Sequence, residues 1–330
     1  MNILLALNST IPVQHYGGTE RVVWYLGKEL VKLGHKVTLL VKFGSFCEFA
    51  KVIYLDDTKS IKDQIPADID IIHFHYEPIG MNEISKPYVI TFHGNVNSPF
   101  ETNLNTIFVS KNHAARFGSK SYVYNGLDWD DYSKPNLSQK REYFHFLGKA
   151  AWRVKNVKGA IDLIKNTRTE KLKVLGGKRF NFKMGLRFTF SPRISFEDNV
   201  GGKSKDVFLN ASKGLIFPVR WHEPFGLAIT ESLFFGCPVF GTPYGSLPEI
   251  VNSEVGFLSN SQSELQIAVE NSNQFNPKTC FEYASEVFNS KIMALSYLEK
   301  YNKVISNEKL NSIAPKIQIV QKEKFLEWNK

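Results

Sequence analysis

Cysteine is scarce in this chain of 330 residues: Cys47, Cys237 and Cys280 are widely spaced and odd in number. That excludes a disulfide framework or a thiolate zinc site and fits a reducing, cytoplasmic compartment. Long apolar runs are also missing. The opening Ile3-Leu4-Leu5-Ala6-Leu7 has no Lys or Arg before it and is far too short to span a bilayer. It reads as a first buried strand rather than a signal peptide, and no later stretch approaches a spanning length. No low-complexity tract or short-period repeat is present. The alternation among His73, His75 and His93 resembles a metal pair, yet no third ligand appears at suitable spacing, so no metal is assigned. Asp68-Ile-Asp70 and Asp128-Trp-Asp130 match a metal-diphosphate D-x-D pattern only formally, one leading into a strand and the other lying in a turn-rich passage.

Negative charge is in deficit, with 32 Asp and Glu against 41 Lys and Arg, a net +9. The excess points to an anionic partner: a nucleotide diphosphate, acidic lipid headgroups or nucleic acid. Nucleic acid is disfavoured, because the cations are scattered and no DNA or RNA module is recognisable. Lys28, Lys32 and Lys36 recur at four-residue spacing on one helical face, which suits peripheral contact with an anionic membrane.

What is present is rhythm. Short Val/Ile/Leu/Phe runs alternate with longer amphipathic segments, the pattern of parallel strands covered by helices, so the fold class is α/β. Strands are predicted at 2–7, 36–43, 52–55, 70–74, 88–92, 106–110 and 122–124, with a helix over 19–33 ending at Gly34. A turn-rich passage at 125–136 interrupts the alternation. It restarts with strands at 144–147, 172–175, 186–190, 215–217 and 239–240, and helices at 157–166, 203–212, 226–236, 262–271 and 282–300. Two doubly wound domains in series follow, 1–135 and 136–316, with a cleft between them and a last short helix over 317–328.

Chemistry concentrates between Glu223 and Glu231, two carboxylates eight positions apart in E-P-F-G-L-A-I-T-E. The spacing places Glu223 at the mouth of a helix and Glu231 more than a turn inside. A helix N-terminus offers N–H groups to phosphates, and each carboxylate can accept sugar hydroxyls. Lys149, Arg153, Lys155 and Lys158 follow the first strand of the second domain, at the end that faces the ligand crevice in an open parallel sheet. There they can stabilise a departing phosphate. Gly17-Gly18 lies between the first strand and first helix, where backbone can approach a phosphate; no G-x-G-x-x-G surrounds it, which argues against a dinucleotide dehydrogenase. His93, before Gly94 at a strand's C-terminal end, is the histidine best placed for substrate, with His73 and His75 structural or cleft-lining.

These motifs resemble the GT4 family of retaining glycosyltransferases. The resemblance rests on Y-G-G-T-E-R-V-V at 16–23, T-F-H-G at 91–94, V-Y-N-G-L-D at 123–128, F-L-G-K at 146–149, F-P-V-R-W-H-E-P-F-G-L at 217–227, E-S-L-F-F-G-C-P-V at 231–239 and G-S-L-P-E-I-V at 245–251. It implies a GT-B fold, two Rossmann-like domains facing across a cleft. The first, 1–135, would take the acceptor and the second, 136–316, the nucleotide sugar, with the C-terminal helix at 317–330 crossing back to the first. Glu223 would contact the transferred sugar with the backbone N–H groups of Phe225 and Gly226, in a donor-binding block that includes Leu227. Glu231 would hold the ribose, Lys149 and Lys155 would neutralise the diphosphate, Gly17 and Gly18 would face phosphate, and His93 would lie near the donor sugar. Lys149 departs from the family's Arg and loses its bidentate fork; Lys158 competes with Lys155 for the second cation, and Lys155-Asn156 matches a K-N variant. The resemblance implies a metal-independent hexosyltransferase with no cofactor, acting on a hydroxyl acceptor, with a lipid-linked glycan fitting the basic charge. Its rivals are a non-catalytic nucleotide-sugar-binding relative, an epimerase and a phosphorylase.

Overall fold

The computed structural model describes residues 1–13, 17–181, 187–318 and 320–330. Contacts divide them into two units, the first made of 1–13, 17–129 and 288–321 and the second of 130–287 and 322–330.

In the first unit the chain forms β1 (Asn2–Leu7), α1 (Gly18–Lys32), β2 (Lys36–Val41), β3 (Lys51–Tyr54), β4 (Ile71–Phe74), β5 (Tyr88–Phe92), β6 (Thr106–Phe108) and α2 (Lys111–Arg116). The six strands make one parallel sheet in the order β3-β2-β1-β4-β5-β6. β1 is buried from Ile3 to Leu7 because a central parallel strand is covered on both faces. α1 buries Val22, Val23, Leu26 and Leu30. It is closed by Gly34 at φ +87°, and the N–H groups of Gly34 and His35 reach the carbonyls of Val31 and Leu30.

The second unit repeats the plan with β7 (Tyr143–Leu147), α3 (Val157–Asn166), β8 (Leu172–Leu175), β9 (Phe180–Asn181), β10 (Arg187–Phe188), β11 (Ile194–Phe196), α4 (Gly202–Asn210), β12 (Ser212–Phe217), α5 (Leu227–Phe234), β13 (Val239–Gly241), α6 (Leu247–Ile250), β14 (Gly256–Leu258), α7 (Gln262–Glu270) and α8 (Pro277–Val287). Its parallel sheet runs β11-β8-β7-β12-β13-β14, the same order as the first, while β9 and β10 pair antiparallel on their own. Phe144, Phe146, Leu163, Ile164, Ile216 and Phe240 lie in its core. Both sheets are α/β and doubly wound, as the rhythm predicts.

Four expectations need correction. The helix predicted over 282–300 is two helices, α8 and α9 (Ser290–Ile305), because Asn289 leaves the helical backbone and its side chain accepts the Ile292 N–H at 2.8 Å. That break is where the chain re-enters the first unit: Ser290 Oγ donates to Glu29 Oε2 at 3.2 Å, so α9 belongs with α1. The change of unit therefore comes at Phe288 rather than at 317, and the earlier one after Trp129 rather than after 135. Among the described residues of the helix predicted at 317–328, none is helical. Their backbone donors go to distant carbonyls instead of to a preceding turn: Ile317 to Phe100, Gln318 to Arg116, Leu326 to Arg220. The strand predicted at 122–124 makes only a bridge from Tyr122 to Phe108. Leu186, in another predicted strand, lies outside the described residues. β9, β11, β14, α2 and α6 had no counterpart in the predicted pattern.

Candidate functional site

In the second unit, β12 ends at Phe217 and leads into the loop that carries Glu223. Glu223 is buried, and its Oε2 accepts from Lys155 Nζ at 2.5 Å and from Trp221 Nε1 at 2.8 Å. The Lys155 ammonium also lies 5.1 Å from the ring centroids of Phe217 and Trp221, a favourable cation–π geometry. Lys155 is held from behind. It ends a tight turn after which Asn156, left-handed at φ 55°, caps α3 by accepting the Gly159 N–H and donates to the Pro218 carbonyl. A Cβ on Gly159 would collide with that Asn156 amide, so the cap requires glycine there.

The far side of the Glu223 loop is clamped by Gly245 and Ser246. Ser246 N–H donates to the Glu223 carbonyl at 2.9 Å and Ser246 Oγ to the Phe225 carbonyl at 2.7 Å. Gly245, at φ +64°, lies so close that a Cβ would meet the Glu223 backbone at 2.3 Å. Gly226, at φ +85°, caps α5 from the left-handed region, and Phe225 turns its ring into the core. Leu227 is the first residue of α5, whose first-turn N–H groups have no carbonyl inside the helix.

Glu231, more than a turn into α5, is buried as well. Its Oε1 accepts from Tyr132 at 2.8 Å and from Lys205 of α4. Beside Lys205, burial raises the carboxyl of Asp206, which accepts the Ser133 N–H at 2.8 Å. His145 of β7 bonds Ser212 and Ser232, and burial pushes it down to about 3, so it is neutral and braces α5 against the sheet.

The first unit holds the remaining candidates. Gly17 precedes α1 and is packed so that a Cβ would meet Val13 and Glu20 at 2.8 Å, while Gly18 begins the helix and is exposed. His93 follows β5, half-buried, with Nε2 2.9 Å from His75 Nδ1. Burial pushes it down to about 4. His73 is fully buried between Tyr301 and Thr91, at 2.7 Å from each.

Residues 128–271 match the family model described as glycosyl transferases group 1. That match covers most of the second unit. No curated protein sequence matches the chain. Among solved structures it is similar to AviGT4, a glycosyltransferase involved in avilamycin A biosynthesis, with TM-score 0.72 and 19% identity over 93% of this chain and 98% of that one. It is similar to sucrose-phosphate synthase from Thermosynechococcus elongatus, at 0.71 and 16% over 93% and 100%. Anabaena HepE, in complex with UDP-glucose, gives 0.67 and 16% over 92% and 100%. At such identities the likeness carries the fold, which is GT-B.

Within the second unit the structure separates cations that spacing left open. Lys155 is buried on Glu223, whereas Lys158 is exposed on α3 and pairs with Asp162 one turn on at 3.1 Å. Lys149 is exposed and has no ion pair among the described residues. Among those residues no three His, Cys, Asp or Glu side chains are grouped to hold a metal, and no helix is long and apolar enough to cross a membrane. Asp128, in the formal D-x-D, is buried and pairs with Lys28 at 2.8 Å and Lys32 at 3.4 Å, which ties up two of the three lysines read as one helical face, while the third, Lys36, begins β2 and is not on that helix. Sequence reasoning missed Trp221, although it stands two positions before Glu223, and assigned Gly245-Ser246 no role although the segment was among the quoted motifs. Tyr132 and Lys205 carried no signal, since they lie 99 and 26 positions from Glu231.

Proposed function

We propose that the protein is a retaining, metal-independent glycosyltransferase of the GT4 type, moving a hexose from a nucleotide diphosphate sugar to a hydroxyl acceptor. The observation that carries this reading is the Glu223 arrangement: a buried carboxylate fixed by Lys155 and Trp221 at the start of α5, within a group 1 unit. An ammonium has three N–H donors. Lys155 gives one to Glu223, which leaves two for diphosphate oxygens, and its burial against Phe217 and Trp221 restrains the side chain. The first turn of α5 adds backbone N–H groups with the positive end of the helix dipole. Both act most strongly when the leaving phosphate carries its full charge.

In the reaction the acceptor oxygen bonds to the anomeric carbon on the face from which the phosphate departs. The bond from that carbon to the phosphate oxygen breaks, and the departing oxygen takes the acceptor's proton. Glu223 and the backbone at Phe225–Leu227 orient the sugar, Glu231 holds the ribose, and His93 and Gly17-Gly18 act from the first unit. The basic charge favours a lipid-linked glycan on the cytoplasmic face of a membrane as acceptor.

Release of nucleotide diphosphate, measured over a panel of UDP-, GDP- and ADP-sugars with chelator present, tests the reading. Glu223→Gln should lower turnover by about 100-fold. Binding without turnover, unchanged by the substitution, would instead favour a nucleotide-sugar-binding protein, the reading that the exposed Lys149 in place of an arginine would suit.

A further inference from the structure

Three histidines cluster at the carboxyl ends of β4 and β5, and their hydrogen bonds constrain one another. Thr91 Oγ1 donates to Tyr297 at 3.0 Å, so it accepts from His73, whose Nε2 is 2.7 Å away and must carry the proton. His73 Nδ1 then accepts from the Tyr301 hydroxyl at 2.7 Å. Both nitrogens of His73 are thus committed, and it offers His75 only a ring face, 4.0 Å between centroids.

His75 is bound on one side alone. Nδ1 lies 2.9 Å from His93 Nε2, while Nε2 is buried with no partner. All three rings are held neutral by burial, and among the described residues no carboxylate bonds His75 or His93. Each ring of the pair therefore has one N–H and one bare nitrogen. Buried N–H groups left without an acceptor are rarer in folded proteins than acceptors left under-used. The bare nitrogen of His75 is accordingly Nε2, and its proton sits on Nδ1, pointing at His93. His93 Nε2 must then accept, which leaves the His93 proton on Nδ1.

We infer that His75 is a positioning residue that fixes His93 as the Nδ1–H tautomer, so that His93 meets the sugar as a hydrogen-bond donor and not as a base. The tautomer follows from the geometry of the first unit alone; its use toward a sugar rests on the glycosyltransferase reading. A neutral donor suits a sugar hydroxyl or ring oxygen, and a phosphate oxygen that takes the acceptor's proton makes a histidine base unnecessary.

Nitrogen-15 NMR of the full chain at neutral pH reads the tautomer directly. The expected spectrum has a protonated Nδ1 and a bare Nε2 on both His75 and His93. His75→Phe should return the His93 proton to Nε2 and lower turnover about three- to tenfold, the worth of one misoriented neutral hydrogen bond, with nucleotide-sugar affinity unchanged. His75→Asn places an amide N–H where Nδ1 was and should restore both the tautomer and the rate, which guards against a folding defect in the first variant. A wild-type His93 protonated on Nε2, or a His93 spectrum indifferent to His75→Phe, overturns the inference. Should the tautomer prove as stated while no sugar nucleotide is turned over, the positioning role of His75 stands and the glycosyltransferase reading falls.

Discussion

The two units share one strand order and differ in the polar groups they bury. The first holds neutral rings, His73 and His75 buried and His93 half-buried, linked to Thr91, Tyr297 and Tyr301. The second buries opposite charges in pairs, Lys155 with Glu223 and Lys205 with Glu231. A neutral polar cluster can exchange hydrogen bonds with hydroxyls but gives little to a phosphate. A charged pair beside a helix start is suited to an anion. On the proposed function, one scaffold would thus support a hydroxyl-handling unit and a diphosphate-handling unit, with the buried groups, not the sheet order, setting the difference.

The largest effect should come from breaking a charged pair. Lys155→Met or Glu223→Leu alone leaves an uncompensated buried charge and should cost about 3–5 kcal/mol, whereas the double variant should cost much less than the sum. A urea-denaturation cycle checks this. Additive losses would mean that the two side chains do not act as a pair.

Acid should reveal the neutral unit. A buried histidine held below the usual value of 6.5 takes up its proton first in the unfolded chain, so stability falls as pH drops from 6.5 toward the folded value. The window reaches about 4 for His93 and about 3 for His113 and His145. At pH 5 each fully buried ring should remove ~2 kcal/mol relative to pH 7. The first unit contains His73, His75, His93 and His113 and the second His145, so amide exchange on acidification should open the first unit earlier. Equal protection in the two would undo the contrast.

Much of this was legible in the sequence. The alternating runs gave both sheets, and Glu223, Glu231 and Lys155 stood out because backbone turns and a helix period place them locally. The rest was not local. Lys205 and Tyr132 meet Glu231 only through the packing of α4 and the chain after Trp129, and the break at Phe288-Asn289 hides in a run of helix-forming residues. The failed helix at 317–328 has the converse cause, since its donors are claimed by Phe100, Arg116 and Arg220 in segments far away in sequence.

A smaller effect is expected at Gly245. Gly245→Ala forces a side chain into a left-handed position against the Glu223 backbone, costing about 1–2 kcal/mol, and should impair turnover more than it lowers the unfolding midpoint. A normal rate would show that the clamp does not position Glu223. Smallest of all is Lys158→Ala, which removes an exposed i,i+4 pair and should change stability by under about 0.5 kcal/mol and leave donor affinity intact. A loss matching that of the Lys155 variants would reassign the second cation.

The most direct measurement is calorimetric titration of nucleotide sugars into the wild-type protein and into folded Lys155→Ala, each with excess chelator. Binding of at least one nucleotide diphosphate sugar to the wild type, weakened about tenfold or more by the substitution, is the expected result. Equal affinity in both proteins, or binding that vanishes with the chelator, would contradict a diphosphate grip built on Lys155 and Glu223.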